Sequence, residues 1–407
     1  MAGVVTSTAS ADADVYYDPF DFDIDDDPYP VWRRLRDEAP LYWNERYEFF
    51  ALSRFHDVEE GLKNWKTFSS AKGTLLELIK ADIELPPGTF IFEDPPAHDL
   101  HRGLLSRVFT PRRMAAIEPD IRAFCARSLD PLVGSDGFDV IADLGAQVPM
   151  RTIGMLLGIP ESDQVALRDQ IDDGLKLADG GEMPSMQDGF DEMGQNALFE
   201  EYIDYRYEHP GDDVMTDLIT AEYTDVDGVQ RRLTRAEALG YISLVAAAGN
   251  ETTNRLIGWT TRLLSQHPDE RRAVHQDRSL VNNTIEEVLR FESPSPVQAR
   301  YVMSDVELHG TTVPEGSTIL LLNGSGNRDE RAFTDADRFD VRRDIPHHLA
   351  FGYGIHFCLG AALARIEGRV VLDEMLNRFP DWEVDTERAV RGRTSTVRGW
   401  SSMPVRI

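Results

Sequence analysis

The chain has 407 residues, 42% of them hydrophobic, enough to bury a sizeable core. A formal net charge of −29 argues against nucleic acid and anionic membrane as partners. Its two cysteines, Cys125 and Cys358, are too few and too far apart for a disulfide framework, which fits a reducing cytoplasm. Residues 1–27 are small, polar and acidic, without the basic and apolar regions of a signal peptide. They read as a flexible arm ahead of a single domain spanning 28–407. No run of ~18 apolar residues occurs, so no membrane span is expected.

From Pro28 a helical pattern through Val31 and Leu35 leads to strand-like runs at Leu41–Trp43 and Tyr47–Leu52. Strands near the start followed by mostly helix predict an α+β fold, mainly α with small sheets. Residues 71–92 are apolar but irregular and broken by Pro86, Pro87 and Gly88, as long functional loops are. Pro95 and Pro96 introduce a helix on which His98 and Arg102 share a face. Arg107, Arg112 and Arg113 follow, a local reversal of charge in an acidic chain. A solvated helix face accounts for such a run by itself. The functional reading has two sides, with His98 and Arg102 turned inward to carboxylates and the other three forming a basic patch outside.

Residues 110–230 read as helices and loops with no evident chemistry, including a Gly-rich connection at 178–189. Cys125 shares an apolar face with Ile121 and Leu129 and reads as core. Thr234 followed by Glu237 is a capping-box pattern, opening a helix that runs to about Gln266. Such a helix is roughly 48 Å long and must cross the molecule. In its middle stand Ala247, Ala248 and Gly249, a flat surface against which a ring can rest. A mid-helix glycine costs about 1 kcal/mol relative to alanine, so Gly249 needs a reason. The hydroxyl of Thr252 can bond back to the carbonyl of Ala248. Glu251 is an acid beside an apolar run. A tight helix crossing explains the small residues but not the acid–alcohol pair among them.

Asn283 with Glu286 suggests another capped helix, on which Glu287 and Arg290 can pair. Arg300–Val302 and Ser317–Leu322 read as strands. His347 and His348 lack the further ligands that a metal site needs. Then comes Phe351-Gly-Tyr-Gly-Ile-His-Phe-Cys358-Leu-Gly360, just before a helical run with Leu359, Leu363, Ile366 and Val370 on one face. A cysteine near a helix N-terminus favours the thiolate. Gly352, Gly354 and Gly360 leave room for a flat group, and Phe351 and Phe357 would keep water from the sulfur. A thiolate in a dry pocket suits axial ligation of haem iron. The competing explanation is a buried structural cysteine.

The order Phe-x-x-Gly-x-His-x-Cys-x-Gly resembles the haem-ligand loop of the cytochrome P450 family. Ala248-Gly249-Asn250-Glu251-Thr252 is similar to its distal helix, and Glu287-x-x-Arg290 to its buried Glu–Arg pair. The resemblance covers about 28–407 and implies haem b held between the long helix and the cysteine loop. It implies Cys358 as axial ligand, and Ala248, Gly249, Thr252, Phe351, Gly352, His356 and Gly360 around the haem. His98, Arg102, Arg300 and His356 would bind its propionates. Arg338 would complete the Glu287–Arg290 network. Thr252 would supply a hydrogen bond and Glu251 a proton.

The activity implied is mono-oxygenation of a hydrophobic small molecule by O2. With no flavin or nicotinamide motif in the chain, electrons would come from a ferredoxin and its NAD(P)H-dependent reductase, docking at Arg107, Arg112 and Arg113. The protein is expected to be a cytoplasmic monomer. Phe90, Ile91, Val245, Ala248, Val297 and Thr396 are candidate substrate contacts, and a terpenoid, steroid or fatty-acyl compound fits their character. The alternatives are a peroxide-using haem-thiolate enzyme, a haem sensor or carrier, and a haem-free binding protein.

Overall fold

The computed structural model describes residues 15–85, 89–177, 181–184 and 197–407. A five-stranded sheet joins early and late parts of the chain: β1 (Leu41–Asn44), β2 (Phe49–Leu52), β3 (Phe68–Ser69), β4 (Gln298–Val302) and β5 (Thr318–Leu321). Its order is β1-β2-β5-β4-β3. β2 and β5 run parallel, with Ala51 opposite Leu320, whereas β5 and β4 run antiparallel, with Ile319 opposite Arg300. The α+β expectation holds: the rest is mostly helix, with four smaller two- or three-stranded sheets among the described residues.

Five helices position the site. They are α1 (Ala97–Ser106), α2 (Val148–Leu157), α3 (Arg235–Gln266), α4 (Val281–Phe291) and α5 (Ala361–Arg378). α3 has 32 residues and begins with the expected capping box. The Glu237 amide donates to the Thr234 hydroxyl at 3.2 Å, and the Thr234 amide to the Glu237 carboxylate at 2.7 Å. The helix runs through the main apolar cluster, which holds Leu256, Ile257, Leu263 and Leu264 from α3, Ile153 and Leu157 from α2, and Val371 and Met375 from α5. Cys125 belongs to this cluster and is fully buried, as expected.

Three expectations need correction. α4 starts at Val281, before Asn283. The Asn283 side chain does not cap it but donates to the carbonyls of Val341 and Arg343, at 2.8 and 3.0 Å. The acidic arm is packed from residue 15 onward: Tyr17 and Phe20 are 3% and 2% exposed and join Trp32, Phe49 and Leu320 in a second apolar cluster. Two aromatic side chains bury enough apolar surface to hold an acidic segment down. Asp25 and Asp26 add ion pairs with Arg391 and Arg393. Phe357 is 38% exposed, where a buried ring was expected. Residues 1–14, and the Gly-rich connection apart from 181–184, lie outside the described residues. No described helix is long and apolar enough to cross a membrane.

Candidate active site

Gly352 and Gly354 have φ of +68° and +72°, backbone that side chains disfavour. They turn the chain so that the Cys358 amide donates to the Phe351 carbonyl at 2.8 Å, closing a loop just ahead of α5. At Gly354 a Cβ would also press on Leu62 and Lys63 backbone at 3.0 Å.

Between this loop and α3 lies a cavity of about 1180 Å³, counting the part open to solvent. Val245, Ala248, Gly249 and Thr252 of α3 form one wall. Phe351, His356, Cys358 and Gly360 face them, with Leu363 and Glu367 of α5. Phe90, Ile91 and Arg102 close an edge. Gly249 has two reasons to be glycine. It lines the cavity, and a Cβ there would meet Ile153 of α2 at 2.6 Å. The Thr252 hydroxyl donates to the Ala248 carbonyl at 2.7 Å, so it faces the cavity already held in place.

Cys358 is accessible because it lines this cavity. Burial pushes its thiol up, while the Gly360 amide, Arg102 and Arg365 pull the other way.

At the cavity edge four cationic or hydrogen-bonding groups converge, with Asp99 on His98 Nδ1 at 2.9 Å and Asp94 near Arg300. Arg300, 1% exposed, donates among the described residues to the Ala299 carbonyl at 2.7 Å and the Gln298 side chain at 3.1 Å. Burial pushes its guanidinium down to about 10, with Asp94 opposing. The rings of His98 and His356 are 4.5 Å apart, and the buried Nε2 of each has no partner among the described residues. Burial, with Arg300, His98 and Arg102 nearby, pushes His356 down to about 2. Arg102 reaches across to the Phe357 carbonyl. A buried cation and two orphaned ring nitrogens are costly unless something anionic meets them. Two carboxylates of a flat group lying between α3 and the Cys358 loop fit this edge. Gly352, His98 and Arg300 do not line the cavity themselves; the first shapes the loop and the other two stand around His356.

The acid–alcohol pair is divided. Thr252 faces the cavity, but Glu251, 3% exposed, turns away to pair with Arg255, which also donates to the Trp400 carbonyl. The acid that does line the cavity is Glu367. Burial pushes its carboxyl up to about 8, against hydrogen bonds with Thr152 and Thr253, and its Oε1 has no partner. Its signal in the sequence is an acid inside the apolar stripe of Leu363 and Val370.

The substrate candidates also divide. Phe90, Ile91, Val245 and Ala248 line the cavity; Val297 and Thr396 do not. Side chains of β4 alternate, so Gln298 faces the cavity while Ala299 faces a second one, lined also by Val297 and Thr396. Arg338 is likewise not the third member of the Glu–Arg network. Its side chain is 66% exposed and 3.8 Å from Asp340. Arg343 instead donates to Glu287 at 3.1 Å, and Arg338 contributes only its carbonyl, which accepts from Arg343 at 2.7 Å. Arg107, Arg112 and Arg113 are exposed, and Arg113 pairs with Asp217 at 3.2 Å. His347 and His348 pair with Glu59 and Glu286, and no metal-binding cluster occurs among the described residues.

The family model for cytochrome P450 matches residues 180–403. A putative cytochrome P450 123 of Mycobacterium tuberculosis is 37% identical over 401 residues, 97% of this chain and 98% of that protein. The structure of cytochrome P450 CYP109Q5 from Chondromyces apiculatus superposes with a TM-score of 0.83 at 33% identity, covering 96% of this chain and 97% of that one. That of CYP109E1 from Bacillus megaterium, in complex with testosterone, gives a TM-score of 0.85 at 29% identity, covering 94% and 98%. The chain belongs to the cytochrome P450 family, whose members are monooxygenases that bind haem b.

Proposed function

We propose that this monooxygenase inserts one oxygen atom into a terpenoid, steroid or fatty-acyl compound held against Phe90, Ile91, Val245 and Ala248. The observation that carries the reading is the cavity with Cys358 on one wall and Ala248–Thr252 on the other. Haem b bound there would supply oxygen activation, one atom of O2 going to substrate and the other to water with two electrons and two protons. Cys358 would hold its iron as a thiolate, a donor that favours O–O cleavage. Thr252 presents its hydroxyl to the cavity from α3. Glu251 relays protons on leaving Arg255. The largely apolar walls exclude water and suit an apolar substrate. That CYP109E1 was crystallised with testosterone supports the steroid class.

His98, Arg102, Arg300 and His356 hold the propionates. Charge-assisted hydrogen bonds are worth about 1.5–3 kcal/mol each. Arg300→Ala should therefore release haem to apomyoglobin roughly tenfold to a hundredfold faster, with the spectrum of the bound fraction unchanged. Haem retained as firmly as in the parent would remove Arg300 from this role.

The electron donor is an acidic ferredoxin, served by its reductase in the cytoplasm and docking on the monomeric enzyme at Arg107, Arg112 and Arg113. A local basic patch steers such a partner in spite of the net charge of −29. The whole reading is tested by screening the three compound classes for displacement spectra, then turning over the binders with ferredoxin and reductase under labelled O2. A binder should gain one labelled oxygen atom. Arg112→Glu with Arg113→Glu should slow reduction most at low salt and leave substrate affinity alone. Binders that are never oxygenated would overturn the monooxygenase reading, and reduction indifferent to salt and to the double reversal would move the docking site.

A further inference from the structure

We propose that the second cavity, on the other side of β4 from Cys358, binds the ammonium group of an amphipathic amine, with Glu77 as counter-ion. This cavity is open to solvent on one side and takes in about 670 Å³ when that open part is counted. Its apolar walls include Tyr17, Phe20, Trp32 and Val297, and Glu77 and Ser395 lie among its polar residues. Glu77 sits on a short helix, Leu76–Ala81, and is 3% exposed. Its side-chain bond is to Ser395, and no basic side chain among the described residues pairs with it.

The other charged wall residues are already committed. Asp18 accepts from the Phe20 amide at 2.9 Å, the Tyr16 hydroxyl at 3.0 Å and Arg46 at 3.3 Å. Asp25 takes Arg393 at 2.6 Å, and Arg398 takes Glu292 at 2.8 Å. Lys176 touches this region through its backbone bridge to Thr394. Glu77 is thus the one lining carboxyl among the described residues that burial leaves without a cation. Burial pushes it up, so this carboxyl takes a proton more readily than an exposed one, and a cation beside it favours the ionised form. Tyr17, Phe20 and Trp32 supply aromatic surface, which attracts ammonium groups.

A buried carboxyl among apolar walls describes an amine carried by an apolar body. The site is separate from the Cys358 cavity, so its test is independent of the chemistry proposed there.

Haem-loaded protein should be titrated calorimetrically with octyltrimethylammonium, which has no lone pair for iron, and with 1-octanol as the neutral control. Buffers of different ionisation enthalpy report protons released. The ammonium should bind the parent at least about tenfold more tightly than Glu77→Gln, with proton release in the parent only. Octanol affinity should not depend on Glu77. Val297→Phe, which fills the cavity but spares Glu77, should weaken both ligands. A Soret shift on binding would show an occupant reaching the Cys358 cavity as an extended substrate, and binding without a shift a separate effector; either keeps the site. Equal ammonium affinity in parent and Glu77→Gln, or none in the parent, would overturn the proposal.

Discussion

Arg290→Ala should cost the fold roughly 3–5 kcal/mol, the loss seen when one partner of a buried ion pair is removed. Arg290 and Glu287 are both fully buried, and the pair is bidentate at 2.7 and 2.8 Å. The other guanidinium donors reach the carbonyls of Asn327, Ala336 and Arg338 at 2.8, 2.9 and 3.4 Å. Glu287 also accepts from the Asp340 amide at 3.0 Å and from Arg343. Truncating Arg290 leaves Glu287 with Arg343 as its remaining cation and removes a donor from the carbonyls of Asn327 and Ala336, both buried residues. The network ties α4 to the chain leading into the Cys358 loop, so haem binding should fall with stability. The check is the urea midpoint of Arg290→Ala against Arg338→Ala. A near-neutral Arg290 variant, or an equal loss in Arg338→Ala, would contradict the assignment of Arg343 as the third member.

Thr252→Ala should leave iron reduction nearly intact but reduce severalfold the product formed per reduced nicotinamide consumed. Its hydroxyl is fixed against the Ala248 carbonyl and faces Cys358 across the cavity, so its loss removes a placed hydrogen bond without opening the fold. Electrons should then leave as hydrogen peroxide. Glu251→Gln should slow turnover with less diversion, because it alters proton supply rather than the hydrogen bond. It also loosens the pairing with Arg255, so its stability must be measured alongside. Unchanged coupling in Thr252→Ala would favour peroxide-driven or non-oxygenase chemistry.

The features legible in the sequence are those set locally. The bounds of α3 follow from a capping box and a histidine–proline stop, both contained in a few residues. The Cys358 loop declares itself through glycines whose turns need positive φ. What escaped was set by tertiary path. Arg343 and Arg338 are both arginines in one loop, and a turn with φ of +51° at Asp335 helps decide which side chain comes back to Glu287. Val297 went to the wrong cavity because the register of β4, not its composition, decides which neighbour faces Cys358. Glu251 and Thr252 were read as a unit from adjacency, yet successive helix residues point about 100° apart. Glu367 and Glu77 were visible only as acids within apolar stretches, and burial gives them their character.

The central claim is that Cys358 ligates haem iron as a thiolate. It is tested most directly by the absorbance of the reduced carbonyl complex in the parent and in Cys358→Ser, each loaded with haem. The parent should show the long-wavelength Soret band of thiolate ligation, and the serine variant should bind haem but show the band at shorter wavelength. A parent without the long-wavelength band, or a Cys358→Ser protein that keeps it, would contradict the account.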